Sequence, residues 1–232
     1  MGPPGRLTSR HAPRPRHRSR ARANSIGAAI ILRLEAGGWD VCTSELDSGD
    51  YPCDLSDPDA AAALIPRINA TRGEISGLVL SHAHDVESGI LDTTPESLDL
   101  HYAVNVRASL LLIAAFAGQI GAAGGAIVAF TSDHTTGNLP YGASKGALDR
   151  IVISAAREIG PRGISANAVN PGPIDTGWMD DETRDGLASM QPLGRLGTPR
   201  DIAGVTAFLL SEEGRWVSGQ LLHADGGFSA RY

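Results

Sequence analysis

The sequence predicts an α/β fold, in which a single doubly wound parallel sheet carries helices on both of its faces. From residue 25 onward, helical and strand-like segments alternate, and no internal repeat or second domain is visible. The strand-like segments are short and apolar, which is typical of parallel strands buried on both faces. A length of 232 residues, 42% of them hydrophobic, suits one domain of this kind with an aliphatic core.

The predicted elements follow one another in a regular order. Strands are predicted over Trp39–Thr43, Gly77–Ser81, Ala126–Thr131, Ile164–Val169 and Gln220–His223. Helices are predicted from Ile26 to the glycine pair at 37 and 38, from Asp57 or Pro58 toward Asn69, from Glu96 to about Ile120, from near Tyr141 to Ile159, and over Pro199–Leu210. Ser25 precedes the first apolar helical residue and is therefore the predicted N-cap of that helix. The stretch from Asn170 to Pro199 is predicted to be a loop.

Residues 1–24 do not fit this fold. A doubly wound domain requires a strand before the helix at Ile26, but residues 1–24 contain one Leu, no Ile or Val, four Pro and seven Arg. A buried parallel strand needs an apolar, β-branched run and tolerates proline poorly. The sequence therefore predicts that the first strand is missing or replaced. It divides the chain into an atypical N-terminal segment, residues 1–24, and one domain, residues 25–232.

The charge divides at the same place. Residues 1–24 carry +7, whereas residues 25–232, with 13 basic and 26 acidic side chains, carry −13. An acidic domain argues against nucleic-acid binding, although the basic segment alone fits a flexible nucleic-acid arm. No membrane-length apolar run or signal peptide is visible, and Cys42 and Cys53 lack metal or redox spacing. These features predict a cytoplasmic protein that binds neither membrane nor nucleic acid.

Tyr141 and Lys145 are four residues apart in a predicted helix, so their side chains share one face. A free phenol has a pKa of about 10 and is a poor base at neutral pH. A cation one turn away favours the phenolate and is expected to lower the pKa of Tyr141. Lys145 is also the only lysine in the chain. The pair therefore predicts acid–base catalysis; the alternative is an exposed tyrosine and a solvated lysine on a surface helix.

Five segments of the chain form an ordered series of motifs. They are NVRAS from Asn105, IVAFTS ending at Ser132, YGASK from Tyr141, NPGPIDTG from Asn170, and PLGRLGTPRDIAGVTAFLLS continuing to VSGQLLHADGG. Together they resemble the short-chain dehydrogenase/reductase family over residues 25–228, especially its members related to 3-oxoacyl-carrier-protein reductases. The resemblance implies a Rossmann-type fold. It also implies an NAD(P)-dependent enzyme that transfers a hydride between a nicotinamide and a carbonyl or secondary alcohol.

The resemblance implies a role for four side chains. Tyr141 exchanges the proton, and Lys145 lowers the pKa of that tyrosine and holds the nicotinamide ribose. Ser132 binds the substrate oxygen, with Thr131 as its nearest rival. Asn105 bends its helix and holds a water in the proton relay; the alternative is a buried polar residue with a local backbone bond. Only eight residues separate Ser132 from Tyr141, fewer than is usual in the family, so the pocket wall is expected to differ.

The resemblance also implies a set of cofactor-binding residues. Besides Tyr141 and Lys145 they are Ser25, Ile26, Gly27, Glu45, Asp54, Leu55, Ser81, Ala83, Pro171, Gly172, Ile174 and Thr176. Two segments depart from the family pattern. Only the last glycine of the phosphate loop, Gly27, is retained, and Ser81-His82-Ala83-His84 replaces Asn-Asn-Ala-Gly. His82 and His84 lack a completing cysteine or carboxylate cluster, so no metal is predicted.

The choice of nicotinamide depends on the end of the second strand. Glu45 falls where NAD-preferring relatives place an acidic residue, because a carboxylate accepts hydrogen bonds from the ribose hydroxyls and repels a 2′-phosphate. Arg22 favours the opposite choice. Asp54 and Leu55 match the pair that contacts adenine in the family. NAD is therefore the predicted cofactor, with NADP as the open alternative.

Two interpretations of the N-terminal segment remain open. One is a disordered basic tail. The other is a coding sequence read in the wrong frame, because codons that can encode Arg16–Ser19 also permit Val-Thr-Gly one base further on. Val-Thr-Gly is the strand end and turn that the family resemblance implies before Gly27.

The predicted function is an oxidoreductase acting on a carbonyl or secondary alcohol, and a 3-oxoacyl-type compound is one candidate substrate. Trp178 and Met179, in the segment that usually caps the substrate, indicate an apolar compound. The resemblance implies a homodimer or homotetramer. The alternatives are a catalytically silent binding or scaffold protein, and a nucleic-acid-binding protein that uses the Arg-rich segment.

Overall fold

A computed structural model describes residues 25–177 and 179–230. Its four strands, β1 (Gly77–Leu80), β2 (Gly125–Phe130), β3 (Ile164–Asn170) and β4 (Leu221–His223), form one sheet in the order β1-β2-β3-β4. Every neighbouring pair is parallel. All residues of β2 and β3 are buried; the sequence of β2 is accordingly continuously apolar, whereas β3 also buries the polar side chains of Ser165, Asn167 and Asn170. The predicted parallel α/β architecture is therefore confirmed.

Seven α-helices accompany the sheet in the described part of the chain. They are α1 (Ile26–Ala36), α2 (Pro58–Arg72), α3 (Pro95–His101), α4 (Ala108–Gln119), α5 (Leu139–Glu158), α6 (Asp181–Ser189) and α7 (Pro199–Leu210). A π-helical segment, Tyr102–Arg107, joins α3 to α4, and short 3₁₀ turns cover Gly160–Arg162 and Glu212–Gly214. Six of the seven helices agree with the sequence prediction to within a few residues, with α3 and α4 as the two parts of one predicted helix, and α7 has the predicted bounds.

The core has two halves, one on each face of the sheet. One half is formed mainly by α2, α4 and α5, and it includes Leu64, Ile65, Leu112, Phe116, Leu148 and Val152. The other half is formed by α1 and α7, and it includes Ile30, Leu34, Val128, Val169, Ile202 and Leu209. The sheet is thus covered on both faces, as the alternation of helices and strands predicts.

Side-chain caps decide where several helices begin. Ser25 Oγ accepts a hydrogen bond from Ala28 N at 3.2 Å, which confirms Ser25 as the N-cap of α1. The Asp57 carboxylate caps α2 in the same way. At α7, Thr198 and Asp201 form a reciprocal capping box.

The segment Trp39–Thr43 is not a strand, and the prediction of one there is wrong. A strand requires a paired neighbouring backbone, and within residues 25–177 and 179–230 this segment belongs to no strand ladder. Its last residue, Thr43, makes one backbone–backbone hydrogen bond to the segment after the turn, from Tyr51 N to Thr43 O at 3.0 Å. The chain then turns sharply between Ser44 and Gly49, which form an isolated antiparallel bridge. The apolar composition of this segment therefore did not determine whether it pairs with a neighbouring strand.

Helix α6 lies where a loop was predicted. The Asp180 carboxylate accepts from Thr183 N at 2.8 Å, and Asp181 and Glu182 occupy the first turn, where negative charge is favourable. No residue of α6 is buried. A helix without a buried stripe lacks the apolar periodicity on which the prediction depended.

Two predictions lie outside the described residues. The missing first strand and the two interpretations of the basic segment concern residues 1–24. The proposed substrate contact of Trp178 concerns the gap between residues 177 and 179. The assignment of residues 25–232 to one domain stays a prediction.

The continuous helical stretch Pro95–Gln119 is long and apolar enough, by length and composition alone, to cross a membrane. Core helices of ordinary globular proteins meet the same criterion. Leu112 and Phe116 of this stretch are buried in the core half that contains α2 and α5. Packing in the core therefore accounts for part of the apolar character of this stretch, while Leu98 and Leu110 are exposed.

Candidate active site

The predicted site residues come from segments that follow three adjacent strands. Ser81 follows β1, Ser132 follows β2 and Pro171 follows β3. Because the strands are parallel, their carboxyl ends lie at one edge of the sheet, which is where doubly wound folds bind ligands. The beginning of α5 is tied to this edge by a backbone bond from Leu139 N to Ser88 O at 2.8 Å.

Tyr141 lies in the first turn of α5, largely buried. Its hydroxyl lies beside the Ser132 side chain, and Lys145 Nζ lies 5.7 Å from the centre of its ring. Burial raises the pKa of Tyr141 to about 12; the Asp85 carboxylate adds to the rise and the Ser132 hydroxyl opposes it. This shift is opposite to the predicted direction. The phenol is desolvated, and burial disfavours its charged form more than the neighbouring groups favour it.

Lys145 is buried, with 2% of its surface exposed. Its ammonium donates to Phe130 O at 2.9 Å and to His82 O at 3.4 Å. Burial lowers the pKa of Lys145 to about 8, against the opposing influence of Asp149 and Asp85. An ammonium has three N–H donors. The two bonds made within the described chain therefore account for two of the three.

Ser132 and its rival Thr131 have different partners. Thr131 is buried, and its hydroxyl donates to Lys145 O at 3.3 Å inside the fold. Ser132 is the residue whose side chain lies beside the Tyr141 hydroxyl and lowers the pKa of that phenol, and its Oγ accepts from His134 N at 3.1 Å. The geometry therefore favours Ser132 over Thr131 as the group that shares a substrate oxygen with Tyr141.

Asn105 lies in the π-helical segment and is fully buried. Its Oδ1 accepts from His84 N at 2.7 Å, and its Nδ2 donates to His84 O and to Ser144 Oγ, both at 2.9 Å. These partners are 21 and 39 residues away in sequence, so the alternative of a local backbone bond does not describe them. Asn105 joins the loop after β1 to helix α5, and the wider π turn is a local departure from α-helical geometry of the kind often found at functional sites.

His82 is a member of the site that the sequence did not identify as such. Its Nε2 donates to Val104 O at 3.2 Å and lies 3.2 Å from Ser109 Oγ. Burial, and secondarily the charge of Lys145, lower the pKa of His82 to about 4, so the imidazole is neutral at physiological pH. Its side chain contacts the π-helical segment while its carbonyl holds Lys145. The sequence signal that could have identified His82 was the replacement of the family's Asn-Asn-Ala-Gly by Ser81-His82-Ala83-His84.

The predicted pyrophosphate and adenosine residues lie on short, local structures. A Cβ added at Gly27 would lie 3.7 Å from Ser81 Oγ, which places the first turn of α1 beside the loop after β1. Ala83 is exposed in that loop. Glu45 is exposed, and its carboxylate accepts from the Ser48 hydroxyl. Asp54 Oδ1 accepts from Ser56 N at 2.8 Å, while Leu55 packs against the core.

The segment after β3 is held by turn chemistry. Gly172 has a φ of +62°, and a Cβ there would lie 2.5 Å from Asp225 Cβ, so only glycine fits. Ile174 is buried and forms a parallel bridge with Gly197. Pro171 and Thr176 are half-buried beside it. These residues lie at the same sheet edge as Ser132.

A cavity of about 180 Å³ adjoins Ser132 on the side of β4. Asp149 and His223 contribute to its wall, together with the backbone of Gly142 and Gly146 on α5. Burial raises the pKa of Asp149, with the Thr131 hydroxyl bond opposing the rise. The sequence pointed to neither Asp149 nor His223.

Comparison with known proteins agrees with this geometry. Residues 21–229 match the family model described as enoyl-(acyl carrier protein) reductase. The uncharacterized oxidoreductase YjdA of Bacillus subtilis is 42% identical over 182 residues, which cover 75% of this chain and 72% of YjdA. Two solved structures, each covering 90% of this chain and 95% of their own, have similar folds. A blue fluorescent protein from a metagenomic library in complex with NADPH has a TM-score of 0.81 at 29% identity. A short chain dehydrogenase from Burkholderia cenocepacia in complex with NADP has a TM-score of 0.82 at 30% identity.

A doubly wound sheet with a tyrosine, a serine and a lysine converging at its carboxyl edge defines an NAD(P)-dependent oxidoreductase that acts on carbonyl or CH–OH groups. The chain belongs to the short-chain dehydrogenase/reductase family. The predicted family, fold class and type of reaction are confirmed.

Proposed function

We propose that Tyr141 exchanges the proton with the substrate oxygen, that Ser132 holds this oxygen, and that Lys145 supports the tyrosine. The observation that carries the proposal is that the Ser132 hydroxyl lies close enough to the Tyr141 hydroxyl to lower its pKa, with the Lys145 ammonium 5.7 Å from the centre of the phenol ring. Two neighbouring hydroxyls can both reach one substrate oxygen placed between them. Asn105 positions the loop after β1 against α5.

The pKa of Tyr141 bears on the direction of proton transfer. With a pKa raised to about 12, the phenol keeps its proton at neutral pH. A protonated phenol acts as a general acid, which suits reduction of a carbonyl to an alcohol. At neutral pH the form of Tyr141 present is therefore the one that donates to a carbonyl oxygen, and we propose that the substrates include carbonyl compounds of the 3-oxoacyl type.

The donor set fits a nicotinamide dinucleotide. The first-turn amides of α1, at Ile26 and Gly27 beyond the Ser25 cap, have no intrahelical acceptor and can bind a pyrophosphate. The remaining Lys145 N–H suits a ribose hydroxyl. When bound, the nicotinamide supplies or accepts the hydride. The other residues proposed to hold the dinucleotide are Asp54, Leu55, Ser81, Ala83, Tyr141, Pro171, Gly172, Ile174 and Thr176.

We propose NAD as the preferred dinucleotide, with Glu45 as the discriminating residue. The Glu45 side chain is exposed and bonds only to the nearby Ser48 hydroxyl among the contacts described, so its charge faces solvent. The two solved structures compared above hold NADPH and NADP, which is the alternative. Titration of the purified protein with both dinucleotides by calorimetry distinguishes them.

We also propose a cytoplasmic homodimer or homotetramer. Exposed apolar side chains on the α3–α4 stretch and near β4 support assembly; they are Leu98, Tyr102, Leu110, Phe208, Trp216 and Leu221. Light scattering coupled to gel filtration measures the mass in solution. A monomeric mass at micromolar concentration contradicts the oligomer.

The function is tested by a panel of aldehydes, ketones, 3-oxoacyl thioesters and secondary alcohols, assayed with NAD(H) and NADP(H) by absorbance at the nicotinamide band. We expect turnover of at least one carbonyl class by the wild type and not by Tyr141→Phe. Dinucleotide binding without turnover of any class supports the scaffold alternative instead.

A further inference from the structure

The loop after β1 is attached to the residues that directly precede Tyr141. Asn138 Nδ2 donates to Asp85 Oδ1 at 2.7 Å, and Leu139 N donates to Ser88 O at 2.8 Å. Asn138 is buried, with 3% of its surface exposed, whereas Asp85 is exposed. The carboxylate is therefore held by a buried anchor while its own surface faces solvent beside the catalytic tyrosine.

The surroundings of this carboxylate contain a second hydrogen-bond acceptor. Asn138 Oδ1 is buried, and none of the described residues provides a hydrogen-bond partner for it. The bond from Nδ2 to Asp85 fixes which side of the amide carries the oxygen. A buried acceptor without a partner is costly. Asn138 Oδ1 is shielded from solvent, so the exposed Asp85 carboxylate is the acceptor of this pair that a ligand can reach, and it favours a ligand that brings donors or positive charge.

The charge of Asp85 acts on the two proposed catalytic groups, Tyr141 and Lys145. It contributes to the raised pKa of Tyr141 and acts in the same direction on the pKa of Lys145. Lys145 carries the opposing charge, but it is 2% exposed and is bonded to two backbone carbonyls behind the tyrosine. An approaching substrate therefore meets the exposed carboxylate before the buried ammonium.

We propose that Asp85 is a specificity-determining residue. It selects carbonyl substrates that carry a neutral or cationic group near the reacting carbon, and it rejects those with an anionic group there. The proposal rests on the function proposed above, because it assumes that the carbonyl binds between Tyr141 and Ser132. The substrate class it names is an aldehyde or ketone without a carboxylate or phosphate close to the carbonyl.

Three aldehydes of similar size test the charge alone. They are 4-carboxybenzaldehyde, 4-methylbenzaldehyde and 4-(trimethylammonio)benzaldehyde, each reduced by the wild type and by Asp85→Asn. The asparagine keeps an oxygen for Asn138 Nδ2 and removes only the charge. Relative to the neutral aldehyde, the substitution should raise kcat/KM for the carboxylate and lower it for the ammonium compound, each about tenfold. Comparing variants on one substrate cancels the intrinsic reactivity of that aldehyde.

Glu87→Gln is the matched control, because Glu87 is an exposed carboxylate in the same loop and is not among the groups that shift the pKa of Tyr141 or Lys145. The control should leave kcat/KM for each of the three aldehydes within about twofold of the wild-type value. If kcat/KM for the charged aldehydes, relative to the neutral one, is the same in wild type and Asp85→Asn, the proposal is overturned. If the wild type reduces none of the three aldehydes, the proposed function is contradicted for aldehydes. The charge preference is then measured from their dissociation constants by NMR titration, where the same crossover is expected and its absence overturns the inference.

Discussion

The proposed catalytic side of the molecule and its proposed adenosine side are built from different kinds of hydrogen bond. Around Tyr141 the polar groups join distant segments: Asn105 bonds to residues 21 and 39 positions away, and Lys145 to a carbonyl 15 positions away. On the adenosine side the side chains bond to near neighbours. Ser25 caps Ala28 N, Glu45 accepts from Ser48, and Asp54 accepts from Ser56.

This difference separates what the folded sheet imposes from what short turns can form alone. Long-range bonds among buried groups require the packed core, so the catalytic geometry exists only in the folded protein. Local bonds between exposed groups contribute little to stability and hold their segments weakly. We therefore expect substitutions on the catalytic side to have larger effects than equivalent substitutions on the adenosine side.

The largest expected effect is on turnover. Tyr141→Phe removes the proposed proton donor and should lower kcat by about 10²–10⁴-fold, the range typical of general acid–base catalysis. The fold and the dinucleotide affinity should be nearly unchanged, because the ring is retained. Steady-state kinetics and calorimetric titration measure the two quantities. A variant with near-parental kcat on a verified substrate contradicts the assigned role of Tyr141.

The comparison of the two sides is tested most directly by a pair of alanine substitutions. Asn105→Ala leaves the His84 N–H and C=O without their partner and removes the bond that Ser144 Oγ accepts, although Ser144 Oγ keeps its bond to Tyr141 O; it should lower the free energy of unfolding by about 3 kcal/mol. Ser25→Ala removes one helix cap and should lower it by about 1 kcal/mol. Urea denaturation measures both. Equal losses would show that the distinction between the two sides is wrong.

Lys145 gives a pH-dependent prediction. Its pKa falls from its ordinary value of 10.5 to about 8 in the folded protein. Between these values the unfolded chain binds a proton that the folded chain does not, so this group makes stability rise as pH rises. From pH 7 to 9.5 its contribution should increase by about 2 kcal/mol, and Lys145→Met should lack that increase. Urea denaturation of both proteins at the two pH values measures the difference; parallel pH dependences contradict a desolvated lysine.

The smallest expected effect concerns Glu45. Because its side chain is exposed, its charge is screened by solvent. Glu45→Ser should therefore reduce the preference for NAD over NADP by only about threefold in dissociation constants. Calorimetric titration with both dinucleotides measures this ratio. A wild-type protein that binds NADP more tightly refutes the assignment of Glu45.

The sequence predicted the elements in which a local pattern and the tertiary environment agree. Tyr141 and Lys145 could be paired because one helical turn separates them, and β2 could be located because burial on both faces leaves a continuous apolar run. The Ser25 cap was visible for the same local reason. These predictions needed no knowledge of distant contacts.

The remaining features depend on contacts that a single sequence does not encode locally. Trp39–Thr43 has strand-like composition but no ladder partner among the described residues, and α6 has no buried stripe. The roles of His82 and Asp85 arise from Val104 and Asn138, 22 and 53 residues away. The direction of the Tyr141 pKa shift also needed the structure, because burial outweighs neighbouring charges there.

The buried position of Lys145 controls how the chain reacts with reagents that acylate amines. Lys145 is the only lysine, and the other basic side chains are arginines and histidines. Apart from the terminal amine, the protein therefore has one primary amine that can be acylated. Its lowered pKa enlarges the reactive, uncharged fraction near neutral pH, while its 2% exposure slows the reagent's entry. The rate of acylation therefore reports how often the catalytic centre opens to solvent. A single added acyl group, counted by mass spectrometry, marks a molecule whose site has opened.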